Sequence, residues 1–385
     1  MLPKRPALER RILAALEVVP PRIPVVVGEC GSGRTTLLRR LEELLGPESE
    51  YHDVERVATT PEAFLASITQ TSRYRAKAPD APLNAALSAR ASFDQGREFF
   101  AHACTRSGSR VTFLLDEVLE IRTFESFPGL RQAPREFWET LCKSSNRFVL
   151  TTRFIARARR LFHDAPDRFE FVHVPPLSPA EVSTALHGFG LGTTNSEQLE
   201  LGRIIHALAD GRPRYLRHLA EATATMGAGD PVSSLATQMA TGAQLSMACR
   251  FSYELRLHRA RGYGALKAIL QILSREEPLT LTEIARRLGR TPGSTKDYLS
   301  WLADVDLLNV RQKRYRFADP VLRLWVRLHG RAVPPNEEDL AREVQEYAVS
   351  RFPYMESVPA SRSQPVSTEE QTADLDRPWN LVEID

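Results

Sequence analysis

Short apolar runs alternate with helix-patterned stretches over the first 175 residues of this 385-residue chain. Ile23-Pro24-Val25-Val26-Val27 is apolar at every position, as a strand buried on both faces of a parallel sheet must be. Similar runs recur at residues 111–115, 148–150 and 169–174, with a weaker strand candidate at 51–58. Residues 7–17, 36–45, 94–103 and 135–141 carry helical patterns between them. Strands and helices in alternation predict a parallel sheet covered on both faces. Residues 70–92, rich in Ser, Ala, Pro and Arg, read as an exposed loop or insertion.

Strand signals stop after residue 174. Residues 175–262 predict helices, beginning at Leu177-Ser178-Pro179-Ala180-Glu181 with Ser178 as cap and Pro179 in the first turn. From residue 263 the pattern changes to an apolar-striped helix (263–273) and a second helix (282–289) capped by Thr280 or Thr282. A third helix (293–302) follows, then a hairpin pairing 307–310 with 315–317 around Arg311-Gln312-Lys313-Arg314. This is a winged-helix pattern, whose third helix would enter the major groove of DNA. Thr291, Ser294, Thr295 and Lys296 would face bases or phosphates, and Arg311, Lys313 and Arg314 the backbone. A winged helix that packs on a neighbouring domain, or binds protein, has the same pattern. The predicted organisation is a first domain at 1–175, a helical lid at 176–262, a winged helix at 263–331, and a helical then acidic tail at 332–385, without stable structure from Ser357.

Charge adds a partner. The net charge is +3, but residues 336–385 hold 12 acidic and 4 basic residues, a net of −8, which leaves +11 on the rest. A basic body with an acidic tail fits duplex DNA. The four cysteines (Cys30, Cys104, Cys142, Cys249) lack the paired spacing of a metal site. No run approaches the roughly 20 apolar residues of a membrane span. The basic residues 1–11 lead into an amphipathic stretch rather than an apolar signal core. A cytoplasmic protein is expected.

The chemistry sits at the strand ends. Gly28-Glu29-Cys30-Gly31-Ser32-Gly33-Arg34-Thr35 fits the phosphate-loop pattern at every fixed position except the lysine, which is Arg34. Glycines let backbone N–H groups converge on phosphates, and the dipole of the following helix adds to them. Thr35, with Thr36 beside it, would bring a hydroxyl to magnesium. Arginine keeps the charge, but its planar fork is no substitute for a compact ammonium, so binding of ATP survives while fast hydrolysis is in doubt. The run 111–115 ends in Asp116, which would hold the magnesium shell, and Glu117, which would polarise the attacking water. The run 148–150 ends in Thr151-Thr152-Arg153: either threonine could sense the γ-phosphate and Arg153 bind it. Gly211-Arg212-Pro213-Arg214 opens a helix whose arginine could swing onto a nucleotide.

Together these segments resemble the AAA+ ATPases and, within them, the STAND signalling ATPases and the archaeal-type ATPase family. Gly28–Thr35 and Leu115-Asp116-Glu117 look like Walker A and Walker B, and Leu150-Thr151-Thr152-Arg153 like the sensor 1 strand of STAND proteins. Leu177–Glu181 resembles the start of the lid. Gly211–Arg214 is similar to its glycine–proline motif, where Arg214 would match sensor 2. Tyr315–Trp325 resembles the segment after the winged helix in the archaeal-type family. The resemblance covers roughly residues 5–330 and implies an α/β P-loop (AAA+-like) domain, a helical lid and a C-terminal winged helix using ATP and Mg²⁺. No arginine stands at a finger position, so ring assembly is not implied. Three functions remain open: a nucleotide-controlled DNA-binding switch, a STAND-type signalling or defence switch with a protein partner, and a nucleotide-binding scaffold without turnover.

Overall fold

The computed structural model describes residues 4–76, 87–162, 168–192, 194–226, 230–257, 262–331 and 333–352. Its main sheet has five parallel strands: β1 (Ile23–Val27), β2 (Ser49–Asp53), β3 (Thr112–Asp116), β4 (Arg147–Thr152) and β5 (Phe169–His173). Their order is β2-β3-β4-β1-β5. Both faces are covered, which is why the middles of β1, β3 and β4 read as continuous apolar runs. Val26, Leu114, Val149 and Val172 pack on Ile12, Leu16, Leu38 and Leu41 from the helices Pro6–Glu17 and Arg34–Leu45. On the opposite face Val25, Phe113, Leu115 and Phe148 meet Phe64, Phe100 and Phe137. Because β1 lies between β4 and β5, the carboxyl ends of β1, β3 and β4 open onto one crevice.

Two expectations in the first half need correction. The weak strand expected at 51–58 is β2, which starts at Ser49 and stops at Asp53. The Asp53 carboxylate accepts the Arg56 amide at 3.2 Å and starts the short helix Val54–Val57. The expected loop at 70–92 holds the end of the helix Pro61–Thr71, the strand Arg75–Ala76 paired to Ala103–Cys104, and the start of the helix Ala89–His102. Its middle, 77–86, lies outside the described residues. The helix Pro61–Thr71 begins with a Thr60 cap and Pro61, the same start signal as Ser178-Pro179.

Beyond β5 come the helices Pro179–Leu186, Asn195–Ala209, Pro213–Thr225, Pro231–Met239 and Gln244–Leu257. The helices Tyr263–Arg275, Leu281–Leu288 and Pro292–Asp304 then join a three-stranded sheet to make the winged helix. That sheet is β6 (Leu279–Thr280), β7 (Leu308–Arg311) and β8 (Arg314–Phe317), in the order β6-β8-β7. Thr280, not Thr282, caps the second helix, in a capping box with Glu283. The hairpin is tighter than expected: Arg311 pairs with Arg314, leaving Gln312 and Lys313 as a two-residue turn with φ of 50° and 60°. The recognition helix Pro292–Asp304 faces solvent at Lys296 but buries Thr295, whose hydroxyl bonds the Thr291 carbonyl, so Thr295 cannot face DNA. The helix Glu337–Arg351 returns to the lid, where the Tyr347 hydroxyl donates to the Leu208 carbonyl at 3.0 Å. The tail expected to lack structure from Ser357 lies outside the described residues. Among the described residues no helix is long and apolar enough to cross a membrane.

Candidate functional site

β1 delivers the loop Gly28–Thr35 into the crevice. Gly31 and Gly33 have φ of 80° and 93°, and a Cβ on Gly31 would come within 3.0 Å of the Arg214 Cβ. The helix starts at Arg34, whose side chain folds back into its own loop and is buried. Its Nη1 donates to the Gly28 carbonyl, to the Glu29 carbonyl at 2.6 Å and to Ser32 Oγ at 3.2 Å. Its Nη2 donates to Glu117 Oε1 at 2.6 Å. The guanidinium therefore lines the loop with its own positive charge and ties it to the end of β3.

Asp116 closes β3. Its Oδ2 accepts from Thr35 Oγ1 at 2.7 Å and from the Tyr51 hydroxyl at 2.8 Å, and its Oδ1 accepts from Thr151. Thr35 and Asp116 are an oxygen-only donor set, which suits a hard cation such as Mg²⁺ shared with ligand phosphates. Thr36 is exposed on the same helical turn. Glu117 adopts the left-handed region at φ 52°, a strained backbone for a residue with a side chain. Its amide donates to Thr151 Oγ1 at 3.0 Å, and its Oε2 accepts the Arg153 amide at 3.0 Å and lies 3.0 Å from Arg153 Nε. Arg153 also pairs with Glu55. Burial pushes the Glu117 carboxyl up, but the guanidinia of Arg34 and Arg153 outweigh it and hold it below its ordinary value. Of the two threonines, Thr151 is the one that faces the carboxylates. Thr152 turns away, and its hydroxyl accepts the Phe154 amide at 3.1 Å.

The lid reaches the loop through Gly211–Arg214. The Arg214 amide donates to the Gly31 carbonyl at 3.3 Å, and its half-buried side chain runs over Gly31. Sequence reasoning singled out Arg214 and missed Arg212, which is the buried one. Arg212 pairs with Glu29 of the loop, lies 3.5 Å from Asp319 and 3.6 Å from Asp210, and donates to the Ala318 carbonyl at 3.0 Å. Burial raises the Glu29 carboxyl above its ordinary value, against the pull of Arg212. Pro213 at the first helical position puts Arg212 at the cap, directed at the loop rather than along the helix.

The winged helix presents Lys296, Arg311, Lys313 and Arg314 to solvent. Arg314 is partly engaged, bonding the Pro278 carbonyl at 3.3 Å and lying 3.9 Å from Glu283. Arg286 and Arg290, around the turn between the second and third helices, are also exposed and were not singled out from the sequence. The foot of the recognition helix docks on the helix Ile155–Leu161, which follows Arg153. There Arg160 pairs with Asp304 at 2.5 Å, and the Ala156 amide donates to Asp306 at 3.3 Å.

Residues 265–307 match a family described as winged helix-turn-helix DNA-binding. Among solved structures the chain is similar to a Walker-type ATPase of Pyrococcus abyssi, at 18% identity and a TM-score of 0.63, over 84% of this chain and 95% of that one. ORC1 of Aeropyrum pernix in complex with DNA aligns at 16% identity and a TM-score of 0.42, over 91% and 95% of the two chains. A STAND protein with a tetratricopeptide repeat sensor from Pyrococcus horikoshii aligns at 17% and 0.34, over 93% of this chain and 46% of that one. The last two superpose only loosely on this chain. No curated protein matches the sequence. The fold is that of an AAA+-like Walker-type ATPase with a C-terminal winged helix, as the motifs implied.

Proposed function

We propose that this chain is a nucleotide-operated switch. It binds ATP and Mg²⁺ at Gly28–Thr35 and Asp116, hydrolyses ATP slowly, and binds duplex DNA through its winged helix. The observation that carries the reading is the Arg34–Glu117 contact inside the phosphate loop. A bound magnesium ion would neutralise charge on the β- and γ-phosphates. Thr35 and Asp116 hold the oxygen donors for it, Arg34, Arg153 and Arg214 supply positive charge to the phosphates, and Glu117 is the acceptor for a proton from water. Both Glu117 oxygens are already engaged by guanidinia, and a carboxylate held at low pKa is a weak base. Phosphates compete with Glu117 for Arg34 and Arg153, so occupancy of the loop is what frees it. Slow turnover suits a switch better than a motor.

A thermal-shift titration of the full chain tests the reading. ATP with Mg²⁺ should raise the melting temperature, since a ligand at 100 times its Kd stabilises the folded state by about 2.7 kcal/mol. Gly33→Asp should remove the shift by setting a carboxylate among the phosphates. A folded wild type that ignores millimolar ATP and ADP overturns nucleotide binding. Fluorescence anisotropy with duplex DNA tests the second half. A clear ATP shift with no DNA binding at low salt leaves the protein-partner switch as the better reading.

A further inference from the structure

We infer that Tyr51 belongs to the magnesium site: its hydroxyl fixes Asp116 beside Thr35, and its oxygen is the acceptor for a water of the metal's shell. The inference rests on the nucleotide reading above.

Tyr51 is the middle residue of β2, which runs parallel to β3 and sets Tyr51 beside Leu114. Its half-buried ring packs against the core layer that contains Leu38, Leu41 and Leu114. The Arg39 guanidinium lies 3.4 Å from the ring centroid, and a cation over a tyrosine face is attractive. Arg39 comes four residues after Thr35 on the helix Arg34–Leu45, so the two stand on one face of it. Glu42 Oε2 steadies the arginine at 3.0 Å. Core, strand and guanidinium together fix where the phenol points. The Thr35 and Tyr51 hydroxyls, at 2.7 and 2.8 Å, meet on the same carboxylate oxygen, Asp116 Oδ2.

Neither packing nor the needs of Asp116 account for the Tyr51 oxygen. A phenylalanine would fill the same space. Asp116 is buried, but Thr35 and Thr151 already bond its two oxygens. An ionised carboxylate offers about four acceptor positions, and hydroxyls fill three of them here. Magnesium gives up its waters reluctantly and keeps several when bound, each with protons to place. Asp116 has little capacity left for them. A phenol that has given its proton to Asp116 has only acceptor capacity left, and this one stands a single hydrogen bond from the carboxylate that would hold the shell.

The test is a titration of a fluorescent ATPγS on the full chain, in EDTA and in excess Mg²⁺. The gain in affinity that magnesium brings is the readout. Tyr51→Phe keeps the ring under Arg39 and removes only the oxygen. It should cut the gain by about 10-fold or more, the usual loss for an outer-shell partner of a metal, and leave the Kd in EDTA within about 2-fold. Equal losses in EDTA and in Mg²⁺ would make the hydroxyl merely structural and overturn the proposal, as would an unchanged gain. If the phenylalanine variant does not fold, Tyr51→Leu removes the same oxygen and is read in the same way. Failure of the nucleotide reading looks different: the wild type then binds the probe in neither condition. A wild type that binds without any gain from Mg²⁺ overturns the magnesium site, and this proposal with it.

Discussion

At the residue scale the site turns on how Arg34 and Glu117 occupy one another. The fork of Arg34 spans two loop carbonyls and a carboxylate at once, which a lysine ammonium cannot do with the same geometry. Arg34→Lys should therefore release Glu117 Oε1 and raise ATP turnover, by about tenfold for each 1.4 kcal/mol removed from the barrier. Steady-state phosphate release at saturating ATP measures it; a variant no faster than wild type shows a pocket already fitted to arginine. Glu117→Gln should lower any turnover by about 10²- to 10⁴-fold while leaving ATP binding intact, the signature of a lost proton acceptor. The loop and both carboxylates were legible because their spacing is set by the phosphate itself. Arg212 was not. Arg212 is one of two arginines flanking Pro213, and only the helix start decides which faces the loop.

Elements carry strain and charge that no single side chain explains. The wing turns through Gln312 and Lys313, both in the left-handed region where the two-residue hairpin prefers Asn-Gly. Gln312→Asn with Lys313→Gly should stabilise the wing by about 1–2 kcal/mol, read as a higher melting temperature, while removing one exposed cation. No gain in stability would mean the turn is already relaxed by its surroundings. A second element-level effect is the docking of the recognition helix through Asp306. The carboxyl faces the Ile155 and Ala156 amides, Arg256 and, more distantly, Glu29, and burial raises its pKa to about 7. A folded pKa above the free value means that the native state binds the extra proton. Stability should therefore fall as pH rises from about 4 to about 7 and level off above it. Asp306→Asn should abolish that slope and raise stability at pH 8 by at most about 4 kcal/mol, since each unit is worth about 1.4. Melting curves across pH for both chains check it. The inner strands β1, β3 and β4 were readable as elements because burial on both faces leaves their middles apolar. β2 was misplaced because Tyr51 is its only apolar residue, among Ser49, Glu50, His52 and Asp53, and Glu50 and His52 pair with each other in the core.

At the scale of the whole molecule the question is whether the exposed cations of the winged helix act together on DNA. Lys296, Arg311 and Lys313 are exposed with no ion pair among the described residues, and Arg286 and Arg290 widen the same basic face. Each phosphate contact releases counterions, so the affinity for duplex DNA should fall linearly on a log–log salt plot. Substituting Arg311 or Lys313 by Ala should weaken all sequences alike and lessen the slope by about 1. Lys296 differs, because a residue on the recognition helix can also touch a base edge, and its loss would then relax specificity. Arg314, already bonded to Pro278 and near Glu283, should contribute least. The residues from Ser357 carry a net of −4, half of the acidic excess, so truncation there should strengthen DNA binding partially. The same face is mechanically joined to the nucleotide loop: Asp304 and Asp306 at its foot meet Arg160, Ala156 and Arg256, while Ala318 and Asp319 meet Arg212. A nucleotide that draws on Arg212 should therefore alter the wing's attachment. ATPγS should change the DNA Kd by a factor on the order of 5–150, and DNA should change the ATPγS Kd by the same factor, because coupling between two binding equilibria is reciprocal. Anisotropy titrations of DNA with and without ATPγS, and of nucleotide with and without DNA, measure both. A factor of one in each, with both ligands bound, would make the winged helix a passive DNA anchor.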